Sequence, residues 1–303
     1  MHGASGKAII DDVLGRQRSG SVICTSCGVL VGVGDATCYN CGRRNPGLWG
    51  YAPLLRSLGR DLGFTQLVIG ACVIMFALTL VFSGERTTLL PARGGLGGIF
   101  GILSPSTQAL FLFGASGSLP VFWMDRWWTV LSAAWLHGSL LHILMNMLGL
   151  RQLAPPTAEI YGPGRTVIIY TVAAVVGFGM SSFAGAYLPY IPFLSGARFT
   201  VGASAPLFGL LGAILYYGHR TGSRHVTSQV WSYVTSAALF GLAMPGIDNW
   251  AHGGGMLGGY LAARVLDPLE PERGDHLIAA VACLTLSALS IVASVMNGVQ
   301  YFE

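Results

Sequence analysis

Apolar residues run along this chain in long blocks, and nearly all of the charged residues fall in the gaps between them or near the block ends. Blocks of this length match neither the alternation of a half-buried strand nor the single apolar stripe of a soluble helix. They read as helices in an apolar medium, seven in all, over residues 64–82, 128–153, 166–188, 201–217, 230–244, 250–266 and 277–299. The fifth is short and small residues interrupt the sixth. Between the first two lies a long stretch, 83–125, rich in Gly, Pro and aromatic residues. Its part over 99–113 is apolar but too short for a crossing, so it is expected to lie in the interface or to re-enter.

Composition agrees. Charged residues make up 10% of the chain and hydrophobic ones 52%, against about 25% charged in soluble domains. The mean hydropathy is +0.60. The fold class that follows is an all-α polytopic membrane protein, and the 43 glycines suit closely packed spans. Thirteen of the 17 basic residues fall before the first block or in the gaps on that same side. The positive-inside rule therefore sets the N-terminus in the cytoplasm and the C-terminus outside. Residues 1–20 carry Asp11 and Asp12 and no long apolar core, which reads as a mobile tail and not as a signal peptide.

A small segment follows at 21–45. Cys24-x2-Cys27 and Cys38-x2-Cys41 are two knuckles, each followed by glycine (Gly28, Gly42). This pattern suits tetrahedral thiolate coordination of a structural zinc, and bound metal would be the main source of stability in so small a unit. Disulfides would need an oxidising compartment, whereas this end is assigned to the cytoplasm. Residues 46–62, with Trp49 and Tyr51, read as a linker at the membrane interface. Cys72 and Cys283 fall inside apolar blocks and read as packing residues.

The remaining signal is polar residues inside the blocks, which are costly in hydrocarbon and hence functional candidates. The second block carries His137, His142 and Asn146, the last two four apart and so on one helix face. The fourth opens with T-V-G-A-S-A-P-L-F-G at 200–209, where Pro206 suits the first turn of a helix. Ser204 then stands at a helix N-terminus, where free N–H groups favour developing negative charge. The sixth carries His252 and a small-residue stripe, Ala251, Gly255 and Gly259, with Gly202, Gly209 and Gly212 as a partner surface. The second, fourth and sixth spans all run inward, so His142, Asn146, Ser204 and His252 fall at similar depth near the outer face. A serine, a base and two further donors are what acyl transfer requires.

In the order and spans of these motifs, H-x-x-x-N, G-x-S and A-H-x-x-G-x-x-x-G, the chain resembles the rhomboid intramembrane serine proteases over about residues 60–266. The resemblance implies a six-helix bundle with one extra C-terminal transmembrane helix, preceded by the zinc-ribbon-like head. It implies Ser204 as nucleophile, His252 as general base, and His142 and Asn146 as oxyanion donors beside the Ser204 backbone N–H. Phe208, four after the serine, takes the place of an aromatic residue that stacks on the histidine. No cofactor is implied for catalysis. Two features depart from the family's pattern. Ala205 and Pro206 follow the serine where glycine is commonest, and the family's W-R pair reads Arg126-Trp127-Trp128.

The expected organisation is a tail (1–20), a head (21–45), a linker (46–62), a protease core (63–266), and a linker with the seventh span (267–303). The implied partners are transmembrane protein substrates, the lipid bilayer and a cytoplasmic protein on the head. Nucleic acid is not expected. The implied location is a bacterial inner membrane. The alternative is a non-catalytic relative that binds transmembrane helices as a chaperone or adaptor. A metal-dependent hydrolase or transporter built on the histidines lacks intramembrane carboxylates to complete its site. Gly114-Ala115-Ser116-Gly117 also matches the family's serine motif, but it precedes the histidine span and has no helix after it, so Ser116 reads as a turn residue. His137 points away from His142 and is expected to bond the first loop.

Overall fold

The structure, a computed structural model, describes residues 16–25, 27–53, 59, 61–89, 101–189, 191, 195–244 and 246–301. Residues 1–15 of the expected tail lie outside these, as do parts of the linker and of the first loop. In the cysteine-bearing segment, β1 (Ser21–Ile23) and β2 (Leu30–Gly32) pair antiparallel with Val22 opposite Val31. Both valines turn inward against Cys24, Cys38 and Ala52. The packed unit is wider than 21–45. The Gln17 N–H donates to the Gly50 carbonyl at 2.9 Å, and Ala52 is fully buried. A two-stranded hairpin has only one apolar face, and the chain through Ala52 covers it.

The rest is helical. In chain order the helices are α1 (Phe64–Ser83), α2 (Thr107–Phe113), α3 (Thr129–Ser132), α4 (Leu140–Tyr161), α5 (Pro163–Tyr187), α6 (Ser204–Thr221), α7 (Arg224–Ala243), α8 (Asn249–Val265) and α9 (Gly274–Gly298). A helix stands at each of the seven apolar blocks. Three stretches, Phe64–Arg86, Pro163–Tyr187 and Gly274–Tyr301, are long and apolar enough to cross a membrane by themselves. The chain is a multi-pass membrane protein; among its remaining helices, α4, α6 and α8 are more polar because they carry the histidines, the serine and the glycines of the centre.

The second block is not one helix. Thr129–Trp135 and Leu140–Tyr161 meet at 92°. Leu136 is extended, and Ser139, also extended, accepts the His142 N–H on its Oγ at 3.3 Å. That side-chain cap starts a new helix, so α4 begins at Leu140 and runs past 153 to Tyr161.

Around the centre, α5, α6 and α8 approach too closely for larger side chains. A Cβ on Gly209 would lie 2.1 Å from that of Ala173. One on Gly255 would lie 2.1 Å from the Ala205 carbonyl oxygen, and one on Gly259 would lie 2.0 Å from that of Gly209. These are the small-residue surfaces read from the sequence, and close backbone packing is what holds such helices together where lipid is as apolar as leucine. Gly202 is not on this surface; it lies in the loop before α6. At the opposite end, Arg43 of the cysteine segment is buried with Nη1 4.0 Å from Glu272 Oε2. Glu272 also accepts the Arg165 N–H at 3.0 Å. Burial raises the Glu272 carboxyl above its ordinary range, opposed by the Arg165 N–H and the two guanidinium charges. The segment is thus seated on the bundle.

Candidate active site and metal centre

The chain reaches α6 through an irregular segment pinned by one backbone bridge. Thr200 exchanges both backbone hydrogen bonds with Ser116, at 2.8 and 3.0 Å. The Gly202 N–H donates to the Ala133 carbonyl at 2.9 Å. Gly202 has φ +135, and a Cβ there would lie 2.7 Å from His142 Cε1 and Nε2. Only glycine fits that conformation and that gap. The helix then begins at Ser204 with Pro206 in its first turn.

Ser204 Oγ lies 2.8 Å from His252 Nε2. Asp248 sets the histidine by capping α8, with Oδ1 accepting the Ala251 N–H at 2.9 Å and Oδ2 accepting from Ser181 Oγ at 2.6 Å. Its carboxylate is therefore engaged away from the imidazole. The Phe208 ring stacks on His252, with centroids 4.3 Å apart and planes 11° off parallel. The serine and the histidine come from helices that cross at the glycines described above.

His142 Nδ1 accepts the Gly138 N–H at 3.3 Å. That bond assigns the proton of the neutral ring to Nε2, the nitrogen nearest Gly202. Asn146, one turn on and buried, donates through Nδ2 to the His142 carbonyl at 2.8 Å. Ser204, His142 and His252 are each half-buried. A hydroxyl on an imidazole, a helix N-terminus and an aimed N–H can carry acyl transfer.

Two expectations change here. Both nitrogens of His137 face the interior, and Nε2 accepts the Ala203 N–H at 3.5 Å, so its partner precedes the serine and is not in the first loop. The break before α4 swings residue 137 under that turn, which no local pattern reveals. Ser116 is fully buried, and its Oγ accepts from Thr129 Oγ1 at 3.4 Å. Its role is the strand pairing with Thr200.

At the other end the sulfurs of Cys24, Cys27, Cys38 and Cys41 all lie within 4.8 Å of one another. Cys24 and Cys41 are 3.8 Å apart and Cys27 and Cys38 3.6 Å, all as free thiols. Four sulfurs at about 2.3 Å from one zinc stand about 3.8 Å apart, so the cluster fits a tetrahedral ion. In each knuckle the glycine after the second cysteine is left-handed (Gly28, φ +77; Gly42, φ +69) and its N–H returns to the first cysteine's carbonyl. Burial would raise the Cys27 thiol, but the Val29 N–H, Asn40 and the neighbouring sulfurs hold it below the ordinary thiol range. These cysteines can hold a metal ion.

Comparison with known proteins agrees with this architecture. Residues 124–268 match the Rhomboid domain. Rhomboid protease GluP of Bacillus subtilis (strain 168) is 30% identical over 228 residues, which cover 74% of this chain and 39% of that protein. RHOMBOID-like proteins 4 and 7 of Arabidopsis thaliana are 34% and 32% identical over 169 residues, 54% of this chain. The matched part spans about two fifths to a half of these relatives, 39%, 40% and 51%. The class is thus a polytopic helical membrane protein with a Rhomboid domain. Within it, this chain is a homologue of the rhomboid proteases and rhomboid-like proteins.

Proposed function

We propose that this protein is an intramembrane serine endopeptidase that cuts transmembrane segments of membrane proteins near their outer boundary. The observation that carries the reading is the 2.8 Å contact between Ser204 Oγ and His252 Nε2 at the head of α6, with Phe208 stacked on the imidazole. Ser204 Oγ attacks the scissile carbonyl carbon as His252 takes its proton. The oxyanion that forms is met by the Ser204 backbone N–H, His142 Nε2–H and the Asn146 amide. His252 then gives the proton to the leaving amine, and water admitted from the outer face hydrolyses the acyl-enzyme by the same steps in reverse order. Among the described residues Asp248 is held by Ser181 and the Ala251 N–H and not by the imidazole, so the pair works as a dyad oriented by Phe208 and the α8 backbone.

The basic residues support an N-terminus in the cytoplasm, and a bacterial inner membrane is the proposed location. The cysteine segment is proposed as a zinc-ribbon head whose metal is structural, with a cytoplasmic protein as its partner. In the chemistry above, the metal has no part.

The experiment is labelling of the purified protein with a fluorophosphonate, together with cleavage of a single-span reporter in detergent. Ser204→Ala and His252→Ala should each abolish both while leaving the protein folded. Activity retained in Ser204→Ala and lost in Ser116→Ala would overturn the choice of serine. A wild-type protein that holds the reporter uncut and unlabelled would be a helix-binding relative without catalysis.

A further inference from the structure

Arg126 is fully buried. Its Nη2 donates to the Ser294 carbonyl in the penultimate turn of α9, at 2.7 Å, and Nη1 to the Phe111 carbonyl at the end of α2, at 3.0 Å. The guanidinium carbon stands 4.0 Å over the Phe111 ring. A cation beside the last carbonyls of a helix is favoured by the dipole, and more so away from water. Trp128 Nε1 donates to Ser294 Oγ at 3.1 Å. The same hydroxyl lies where a Cβ on Gly114 would come within 2.5 Å, and a Cβ on Gly298 would meet Leu112 at 3.0–3.3 Å. The Phe111 and Tyr301 rings meet edge to face, 5.4 Å between centroids.

These contacts fix one end of a short path to the serine. Ser132 Oγ donates to the Gly114 carbonyl at 2.8 Å. Two residues on, Ser116 pairs with Thr200, and the Ser118 N–H donates to the Ala197 carbonyl at 2.9 Å. Ala133, next to Ser132, accepts the Gly202 N–H. The segment that delivers Ser204 is therefore hydrogen-bonded along one edge to a loop whose own anchor is α9.

We infer that the last two turns of α9 are a brace for the 197–202 segment, with Arg126 and Trp128 as positioning residues that set where Ser204 stands. The inference rests on the protease reading for its consequence and on geometry for the brace itself. A helix outside the six-helix bundle then contributes to turnover without touching substrate. Misplacing a reacting group by about 1 Å can cost about 10²-fold in rate.

The test uses the full-length protein carrying Arg126→Met, Arg126→Lys, Trp128→Phe or Gly298→Leu. Arg126→Met should lower kcat about ten- to 10²-fold with KM within about twofold. Amide exchange at Thr200 and Gly202 should speed up in step with the loss. Arg126→Lys, which can still reach one carbonyl, should restore part of both. Gly298→Leu, which pushes α9 off α2, should reproduce them. If Arg126→Met does not fold, Trp128→Phe carries the test, with a smaller loss in the same two readouts. A lower melting midpoint with kcat and the exchange at 200–202 unchanged would make the contacts purely structural and overturn the inference. Should the wild type neither label nor cut, the protease reading falls, and the exchange data still decide the brace.

Discussion

At the scale of single residues, the site is built from side chains whose spacing declares them and from backbone groups whose spacing does not. His142 and Asn146 announce themselves because four residues place two costly polar groups on one face of an apolar helix. Asn146 gives one N–H to the His142 carbonyl, and in the proposed mechanism its other N–H meets the oxyanion. Asn146→Ala should therefore lower kcat by up to about 10²–10³-fold, the usual loss for one such donor. KM should hardly move, since the contact strengthens only in the transition state. Steady-state kinetics on the reporter decide this, and an unchanged kcat removes Asn146 from the site. His137 could not be placed in the same way. Its partner is the Ala203 N–H, 66 residues away, and only the turn at Gly138-Ser139 brings the two together.

Among the elements, the long apolar blocks gave away the helices because a lipid-facing helix must be apolar along its whole length. The bend inside the second block falls at His137-Gly138-Ser139, where Ser139 is a preferred N-cap residue, but the apolar runs on either side join into one block by length. Pairing of helices was legible in the glycine stripes. The α6–α8 crossing makes a direct prediction: Gly259→Val must push against the Gly209 carbonyl, only 2.0 Å from the new Cβ. The helices should separate at the residues that hold Ser204 and His252. The melting midpoint should drop by the equivalent of about 1–3 kcal/mol or more, and fluorophosphonate labelling should slow. Gly179→Ala, with nothing within 4 Å of its Cβ, should leave labelling as it is. Equal behaviour of the two variants would mean the crossing does not set the site.

For the whole molecule, the cysteine segment and the serine lie at opposite ends of the bundle, most of a bilayer apart, on the order of 20 Å. A metal at that distance cannot act on the oxyanion, even though Arg43 seats the segment against Glu272. Replacing Cys24, Cys27, Cys38 and Cys41 together by serine should release about one zinc per chain, measured by elemental analysis, and speed amide exchange over 21–52. Cleavage of a free reporter should stay within a few-fold. Activity lost in that variant and restored by added zinc, with the fold intact, would give the metal a part in the chemistry. By itself the sequence determined the helical membrane class and the cysteine knuckles, and it singled out His142, Asn146, Ser204 and His252 as the candidates that the proposed function uses, because burial in lipid and metal geometry each constrain residue type at short range. The tertiary structure alone decided that the segment extends to Ala52 and that α9 reaches Arg126. Those depend on contacts between residues tens to more than a hundred positions apart, whose partners are often backbone carbonyls that every residue type possesses.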